Sequence, residues 1–381
     1  MDFETKCVHG GCTSPADQYK ALSYPIYQTA SFAHAGFGSS TGFDYTRESN
    51  PTRERLEHTV ASLEEAAGAV AFSSGMAAIS TVTELFRPGD HFIIEQDLYG
   101  GSIRLFHTIC EKNGLTFTYA SFSSDDIESM IRPNTKALYV ETPTNPMMKV
   151  VDIRRLADIA HRHGLLLIID NTFLSPYFQK PLTLGADIVV HSGTKYLGGH
   201  NDTIAGFAAA SSLEIVKRLH ETAMSIGSVL APFDSWLILR GIQTLAIRLE
   251  RAEKNAMQIA QWLKEQPCIK NVYYPGLPEH PGYAIMKKQA SGFGAMVSFR
   301  TDSRETAIHI LNHVKLISFA ESLGGTESLI TYPLTQTHAD VPEDMRRKSG
   351  IDDTLLRLSV GIESAENLID DLASALPLSK I

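Results

Sequence analysis

The chain has 381 residues, more than one hydrophobic core usually accommodates, so we expect a large domain and a smaller one. A formal net charge of -9 and the lack of long basic runs argue against a role in nucleic-acid binding. The apolar stretches are strand-length, and the first residues lack a secretory pattern. These features exclude a membrane anchor and predict a cytoplasmic protein.

The sequence offers no evidence for a metal centre or a disulfide framework. The cysteines have no paired spacing and are interpreted as reduced thiols: Cys7, Cys12, Cys110 and Cys268. His161 and His163 are two residues apart in a helical pattern, which points them to different faces. We therefore expect no bound metal.

The first ~45 residues, judged by composition, form an arm rather than a folded unit, because they are rich in Gly, Ser, Thr and Tyr and lack a long period. The arm carries too many aromatic residues for a solvated tail: Tyr24, Tyr27, Phe32, Phe37 and Phe43. Exposed aromatic clusters mark interaction surfaces. We expect this arm to pack on a partner subunit.

From residue 54 to about residue 209, short β-rich apolar runs alternate with helical periods. This pattern is typical of a mostly parallel sheet covered by helices. Seven strands are predicted, at residues 69–72, 91–95, 117–120, 137–141, 165–169, 187–190 and 204–209. The fold class is therefore α/β, with one large sheet.

One connecting helix has clear signals at both ends. Asp152 suits the N-cap, Ile153, Leu156 and Ile159 form an apolar stripe, and Gly164 supplies the C-terminal stop. A helix between two predicted strands gives a βαβ crossover.

A long helical stretch after Pro232 is predicted to lead into a smaller C-terminal α/β domain. Its predicted strands are residues 295–299 and 355–360, and its predicted helices lie near 303–313 and 363–375.

The strongest chemical signal is the segment from Ser192 to Lys195, which follows the sixth predicted strand, while Asp170 follows the fifth. Ligands of such proteins bind at the carboxyl ends of the strands. Lys195 can form a Schiff base with an aldehyde cofactor, and the hydroxyls of Ser192 and Thr194 can face a phosphate together. Asp170 can keep a pyridinium nitrogen protonated. Each signal alone is also compatible with a solvated lysine or a capping aspartate.

Three further positions have both a chemical and a structural interpretation. Gly75, between a strand and a helical run, lets amides face an anion, although an ordinary serine N-cap fits equally. Tyr99 can stack on a flat cofactor or belong to the core. Arg357 interrupts an apolar strand and needs an anionic partner, either a substrate carboxylate or an internal salt bridge.

In combination, these segments resemble the Cys/Met-metabolism family of pyridoxal-phosphate enzymes over nearly the whole chain. The family includes cystathionine γ-synthase, cystathionine β- and γ-lyases, methionine γ-lyase and O-acetylhomoserine sulfhydrylase. Eight ordered regions carry the resemblance: residues 45–47 with 50–52, 73–77, 97–101, 141–146, 170–173, 191–200, 321–325 and 357–363. The resemblance implies an aspartate aminotransferase-like fold (fold type I) and pyridoxal 5′-phosphate as cofactor.

The resemblance also implies roles for individual residues. Lys195 would be the Schiff-base lysine and proton shuttle, Asp170 would hold the ring nitrogen, and Tyr99 would stack on the ring and assist proton transfer. Phosphate binding is implied for Gly75, Met76, Ser192 and Thr194, and for Tyr45 and Arg47 reaching into the neighbouring subunit. Cofactor orientation or substrate binding is implied for Asn145, Glu321, Ser322 and Arg357.

The implied organisation is an arm (residues 1–47) that contacts the neighbouring subunit, a cofactor-binding domain (48–250) and a C-terminal domain (251–381). Members of the family usually form homotetramers, arranged as dimers of dimers with shared active sites.

For the reaction, we favour γ-replacement on an O-acyl-homoserine by cysteine or sulfide, as in transsulfuration and methionine biosynthesis. The alternative enzyme is a cystathionine β- or γ-lyase that releases a keto acid, ammonia and a thiol. Methionine γ-lyases carry a cysteine where this chain has Gly101, which disfavours that activity. A different class of protein would be a silent sensor or scaffold, which the combination of Lys195, Asp170 and Tyr99 disfavours.

Overall fold

The computed structural model describes residues 1–11 and 19–377, and Cys12 lies outside the described residues. The chain begins with a short helix, α1 (Phe3–His9), whose N-cap Asp2 accepts a hydrogen bond from the Thr5 amide. This helix is not predicted from the sequence, because seven residues are too few to show a period. Cys7, on α1, is buried, and α1 packs on helices from both halves of the chain.

The large sheet and its helices occupy the middle of the chain. In order, the elements are α2 (Pro51–Glu64), β1 (Gly68–Phe72), α3 (Gly75–Thr83), β2 (His91–Glu95), α4 (Gly100–Leu105), β3 (Thr116–Ala120), β4 (Thr135–Glu141), α5 (Ile153–Arg162), β5 (Leu166–Asp170), α6 (Ser175–Phe178), β6 (Ile188–Ser192) and β7 (Gly206–Ala210). A π-helical turn, Phe106–Cys110, continues α4. Short 3-10 turns lie at Glu128–Met130 and Pro181–Leu184.

Within the described residues, these seven strands form one sheet in the order β1-β7-β6-β5-β4-β2-β3. Strands β2 to β6 run parallel to their neighbours within that group, and β7 is antiparallel to both β6 and β1. The predicted mostly parallel, seven-stranded sheet is confirmed. Because β4, β5 and β6 are parallel, their carboxyl ends lie at the same edge.

Helix α5 forms as the sequence predicts. The Asp152 carboxylate accepts a hydrogen bond from the Arg155 amide at 3.1 Å, and Gly164 follows the helix with φ of 64°. A left-handed conformation of this kind suits glycine, which has no Cβ to clash.

The smaller second sheet and the remaining helices follow. The elements are α7 (Leu213–Ile226), α8 (Pro232–Ile242), α9 (Leu245–Lys264), β8 (Ile269–Tyr273), α10 (Tyr283–Gln289), β9 (Met296–Thr301), α11 (Arg304–His313), β10 (Ser318–Phe319), β11 (Leu329–Thr331), α12 (Glu343–Ser349), β12 (Leu355–Ser359) and α13 (Ala365–Ala375). In the described chain, five of these strands pair in the order β10-β11-β12-β9-β8. The smaller α/β unit is thus confirmed.

The predicted single helical stretch after Pro232 is two helices, α8 and α9, separated at residues 243–244. Arg248 stabilises the break, since its guanidinium donates to the Gly241 carbonyl at 2.8 Å and to the Thr244 hydroxyl at 3.2 Å. These bonds satisfy polar groups that a helix end leaves free. The predicted domain boundary at residue 250 falls inside α9, whose buried face joins one continuous apolar core with both sheets.

The absence of a membrane-spanning helix and of disulfide bonds was expected, and both statements below apply to residues 1–11 and 19–377. There, no helix is both long and apolar enough to cross a membrane. Cys7, Cys110 and Cys268 are free thiols in the same part of the chain.

Candidate active site

A cavity of about 370 Å³ lies at the carboxyl ends of β4, β5 and β6, between the two sheets. Eleven of the residues singled out from the sequence line it: Gly75, Met76, Tyr99, Asn145, Asp170, Ser192, Thr194, Lys195, Glu321, Ser322 and Arg357. They come from segments as much as 282 residues apart, as the separation of Gly75 and Arg357 shows. The fold therefore assembles them into one pocket.

Lys195 projects into this cavity from the turn after β6. Its Nζ donates a hydrogen bond to Ser322 Oγ at 2.8 Å. Burial, aided by the positive charge of Arg357, lowers the pKa of Lys195 from 10.5 to about 8, although Glu321 opposes the shift. A larger fraction of the amine is therefore neutral and nucleophilic near neutral pH than for a solvated lysine.

Asp170 ends β5 and is buried at the cavity wall. Its Oδ1 accepts hydrogen bonds from the Thr172 amide at 3.0 Å and the Thr172 hydroxyl at 2.6 Å. Burial raises the pKa of Asp170, while the two bonds from Thr172 oppose that shift. Thr172 holds one carboxylate oxygen and leaves the other for a cationic partner in the cavity.

The N-terminus of α3 meets the end of β6 at the cavity. Ser74 caps the helix, since its Oγ accepts a hydrogen bond from the Ala77 amide at 3.0 Å. A Cβ added to Gly75 would lie 2.9 Å from Ser192 Cβ, so only glycine permits this approach. Thr194 is fixed nearby by bonds to the Ala205 backbone. Free helix amides beside two hydroxyls form a suitable cradle for a phosphate group.

Tyr99 lies on one side of the cavity, with 39% of its surface exposed. Its backbone amide donates to Glu141 Oε2 at 2.9 Å. A Cβ at Gly101 would lie 2.4 Å from the Tyr99 ring, so the ring occupies the space that the glycine leaves. The backbone of Tyr99 is thus held in place by Glu141, and the face of its ring remains open to the cavity.

Glu141 is a cavity residue to which the sequence assigns no role. It ends β4 in register with Asp170 on β5, and both carboxyls are buried. Burial raises the pKa of Glu141 well above its usual value, and the charge of Asp170 adds to that effect. Neighbouring buried carboxyls resist ionising together, so Glu141 favours the protonated form while Asp170 is charged.

Arg357, on β12, is only 1% exposed. Its Nη1 donates to Asn145 Oδ1 at 2.9 Å, and its Nη2 donates to the Ser322 carbonyl at 3.0 Å and to Thr331 Oγ1 at 3.2 Å. Nε has no hydrogen-bond partner among the described residues. All three partners are neutral groups, so the positive charge is positioned without being neutralised by them. Such a guanidinium suits a ligand carboxylate.

Tyr45 and Arg47 lie outside this cavity. The Arg47 guanidinium lies 5.5 Å from the centre of the Tyr45 ring and donates to the Met224 carbonyl at 2.7 Å. Within a single chain, therefore, these two residues are not brought to the other predicted site residues.

The observed groups fit pyridoxal 5′-phosphate as a ligand. The cavity contains an amine with a lowered pKa, a buried carboxylate with one oxygen available, an aromatic face and an anion cradle. These groups match the aldehyde, ring nitrogen, ring and phosphate of that molecule.

Comparisons with known proteins agree with this assignment. The sequence profile of the "Cys/Met metabolism PLP-dependent enzyme" family matches residues 4–377. Cystathionine gamma-lyase of Bacillus subtilis is 48% identical over 377 residues, covering 99% of each chain. A cystathionine gamma-synthase/O-acetylhomoserine (thiol)-lyase of the same organism is 50% identical over 356 residues, covering 93% of this chain and 91% of the relative.

Solved structures give the same result. Cystathionine gamma-lyase from Lactobacillus plantarum, complexed with L-serine, superposes with a TM-score of 0.96 at 44% identity, covering 98% of both chains. Cystathionine gamma synthase from Xanthomonas oryzae pv. oryzae, in complex with aminoacrylate and cysteine, has a TM-score of 0.96 at 40% identity and covers 98% of this chain and 97% of that chain. The predicted fold type I is confirmed, and the chain belongs to the Cys/Met metabolism family of PLP-dependent enzymes.

Proposed function

We propose that this enzyme catalyses γ-replacement on an O-acyl-homoserine, with cysteine or sulfide as the sulfur donor. In that reaction a carbon–sulfur bond forms at the γ-carbon, the carbon–oxygen bond to the acyl group breaks, and the acyl group leaves as a carboxylate. A replacement requires a second small molecule to enter while the first remains bound. An elimination has no such requirement.

The observation that carries this proposal is a groove that opens into the cavity. Four residues line both spaces: Thr194, Ile204, Glu321 and Ser322. The groove continues along the acidic side chains of Asp202, Asp234 and Glu327. We propose that it is the path by which a thiol that carries an ammonium group, such as cysteine, reaches the γ-carbon.

Bound pyridoxal 5′-phosphate supplies an electron sink for the negative charge that develops when the substrate loses its α-proton. We propose that Lys195 holds it covalently, that Asp170 holds its ring nitrogen and that Tyr99 stacks on the ring. Asn145 orients the ring. The phosphate is assigned to Gly75, Met76, Ser192 and Thr194.

Proton transfer is assigned to Lys195, which acts as the general base once its amine is released. Lys195 would remove the α-proton first and would have to release it from Nζ before the neutral amine could remove the β-proton, because γ-chemistry requires both. The bond from Lys195 Nζ to Ser322 Oγ supports this role, since it fixes the amine over the cavity. Tyr99 assists as the second catalytic residue.

Substrate binding is assigned to three residues at the C-terminal side of the cavity. Arg357 binds the α-carboxylate with its buried guanidinium, whose hydrogen-bond partners are neutral groups, and Ser322 orients the bound molecule. Glu321 faces the ammonium group of the incoming thiol or of the product.

We expect the cofactor-free enzyme to take up pyridoxal 5′-phosphate faster as the pH increases. Below about pH 8 the rate should increase about tenfold per pH unit, and above that pH it should level off. Only the neutral amine of Lys195 attacks the aldehyde, and its pKa of about 8 sets that fraction. Stopped-flow absorbance at several pH values measures the curve. In Arg357→Ala the curve moves to higher pH, because a neighbouring positive charge no longer favours the neutral amine. A shift to lower pH would contradict the assignment.

Elimination from cystathionine is the second candidate, supported by the close relatives described as cystathionine lyases. A cystathionine beta-lyase of Lactococcus lactis is 45% identical over 375 residues, beside the gamma-lyase of Bacillus subtilis.

Two parallel assays decide between replacement and elimination. The enzyme is incubated with L-cystathionine alone, and with O-acetyl-homoserine plus cysteine, and keto acid and cystathionine are quantified. We expect synthesis of cystathionine to exceed release of keto acid. Faster keto-acid release from cystathionine would favour the lyase.

We further propose a cytoplasmic homotetramer, built as a dimer of dimers from the predicted arm (1–47), cofactor domain (48–250) and C-terminal domain (251–381). The exposed position of Tyr45, outside its own chain's cavity, supports a shared site in which Tyr45 and Arg47 reach the phosphate in a partner subunit.

Subunit mixing tests the shared site. Arg47→Ala and Lys195→Ala chains are each expected to be inactive, but co-refolding them should restore about a quarter of wild-type activity, because half of the random pairs contain one intact site. Lys195→Ala mixed with Asp170→Asn is the control, since both changes lie in the same cavity and no mixed pair regains a complete one. Equal activity in both mixtures would overturn the proposal.

A further inference from the structure

His338 is a buried imidazole that joins the two halves of the enzyme beside the cavity. Its side chain belongs to the loop between β11 and α12 and is 1% exposed. Nε2 lies 3.1 Å from the Leu98 carbonyl and 3.2 Å from the Asn145 carbonyl, while Nδ1 lies 2.9 Å from Thr337 Oγ1. Carbonyls only accept, so Nε2 carries the hydrogen and Nδ1 accepts from Thr337.

The protonation state agrees with this bonding pattern. Burial, with a contribution from the positive charge of Arg357, lowers the pKa of His338 to about 4. The imidazole is therefore neutral at the pH of the cell, with one nitrogen that donates and one that accepts.

The two carbonyls belong to two of the chain segments that line the cofactor cavity from the large sheet. Leu98 precedes the stacking Tyr99, in the loop after β2, and Asn145 lies in the loop after β4. The loop of His338 also contacts Gly100, the residue after Tyr99, since a Cβ added to Gly100 would lie 2.3 Å from the Thr337 carbonyl oxygen. The loop of His338 thus packs directly on the backbone around Tyr99.

The loop itself is fixed from the C-terminal side. The His338 amide donates to the Pro333 carbonyl at 3.0 Å, and Arg346 on α12 donates to the His338 carbonyl at 3.4 Å. The imidazole therefore bridges an anchored loop and the two segments that follow the paired strands β2 and β4.

We propose that His338 is a positioning residue that sets the placement of Tyr99 and Asn145 against the cofactor. The proposal rests on the proposed roles of Tyr99 and Asn145. Without the imidazole, two buried carbonyls lose their shared donor, and both segments relax from the positions that bind the ring.

The test compares two substitutions at His338 with one at a matched histidine. His338→Met fills a similar volume without a donor, whereas His338→Gln retains an N–H near the position of Nε2. His91→Met is the control, because His91 is equally buried and bonded to Thr135 and Thr118 but lies at the opposite end of β2. The His91→Met variant therefore shows how much the removal of any buried, hydrogen-bonded imidazole changes the two measured quantities.

Two readouts separate positioning from folding. Amide hydrogen exchange of the full-length, cofactor-free chain reports the mobility of residues 97–101, and absorbance titration gives the Kd of pyridoxal 5′-phosphate. His338→Met is expected to speed exchange in 97–101 and to raise the Kd by about 10- to 100-fold. His338→Gln should stay within about threefold of wild type, and His91→Met should change neither readout.

Three results would overturn the proposal: unchanged exchange and Kd in His338→Met, an equal loss in His91→Met, or a loss in His338→Gln as large as in His338→Met. Should His338→Met not fold, His338→Asn replaces it, since the shorter amide cannot reach both carbonyls. A Tyr99→Ala enzyme with wild-type Kd would instead show that the assumed role of Tyr99 is wrong, while the exchange data would still judge whether His338 fixes that segment.

Discussion

Replacing Lys195 with alanine is expected to lower kcat for γ-replacement by on the order of 10³-fold or more. The variant loses both the covalent attachment of the cofactor and the general base, whose pKa the cavity lowers to about 8. Two measurements check this: steady-state kcat, and the mass of the chain after borohydride reduction. Reduction should fix the cofactor to the peptide that contains Lys195 in the wild type and leave the variant chain unmodified.

Lys217→Ala is the matched control for that variant. Lys217 lies on the exposed face of α7, 3.8 Å from Glu221, and such surface ion pairs contribute little to stability. It should retain wild-type kcat and the reduced adduct. A Lys195→Ala enzyme with near wild-type kcat, or with an adduct on another lysine, would show that the covalent site is elsewhere.

The large sheet is predictable from the sequence because its strands, apart from the edge strand β3, are largely buried on both faces. Such strands appear as short apolar runs, and the predicted and observed bounds differ by two residues or fewer, as in 137–141 against Thr135–Glu141. The short strands β10 and β11 and helix α1 carry no such signal. Their conformation depends on neighbours distant in the chain, as in the pairing of Ile330 with Leu358.

The lining of the cavity is predictable for a different reason. The cavity is formed where strands end and helices begin, as at Lys195, Asp170 and Gly75. In a parallel sheet these positions lie at the same edge, so residues from different strands come close together there. Roles that depend on a distant partner are not visible in the sequence. Glu141 acts on the Tyr99 amide across 42 positions of sequence, and His338 on the Leu98 carbonyl across 240.

Asp170→Asn is expected to lower kcat on the order of 10²- to 10³-fold while leaving the fold intact. The asparagine oxygen can still accept the two bonds from Thr172, so the local backbone is preserved. Its neutral amide, however, cannot favour a protonated ring nitrogen, and the electron sink weakens. The kcat is measured with saturating cofactor, so that weaker binding does not contribute. Near wild-type kcat under those conditions would contradict the assignment of Asp170.

The same substitution is expected to stabilise the cofactor-free enzyme, which separates the electrostatic role from a structural one. Burial raises the folded-state pKa of Asp170, so its protonated form stabilises the fold at low pH, and that contribution is lost as the pH rises through the folded-state pKa. Above it, the wild type buries a carboxylate beside Glu141, a cost that the charge of His191 offsets only in part, whereas asparagine carries no charge. Thermal unfolding of both cofactor-free proteins should therefore show a higher Tm for Asp170→Asn at pH 8, and the difference should shrink as the pH is lowered. A lower Tm at pH 8 would mean that the carboxylate holds the fold rather than the ring nitrogen.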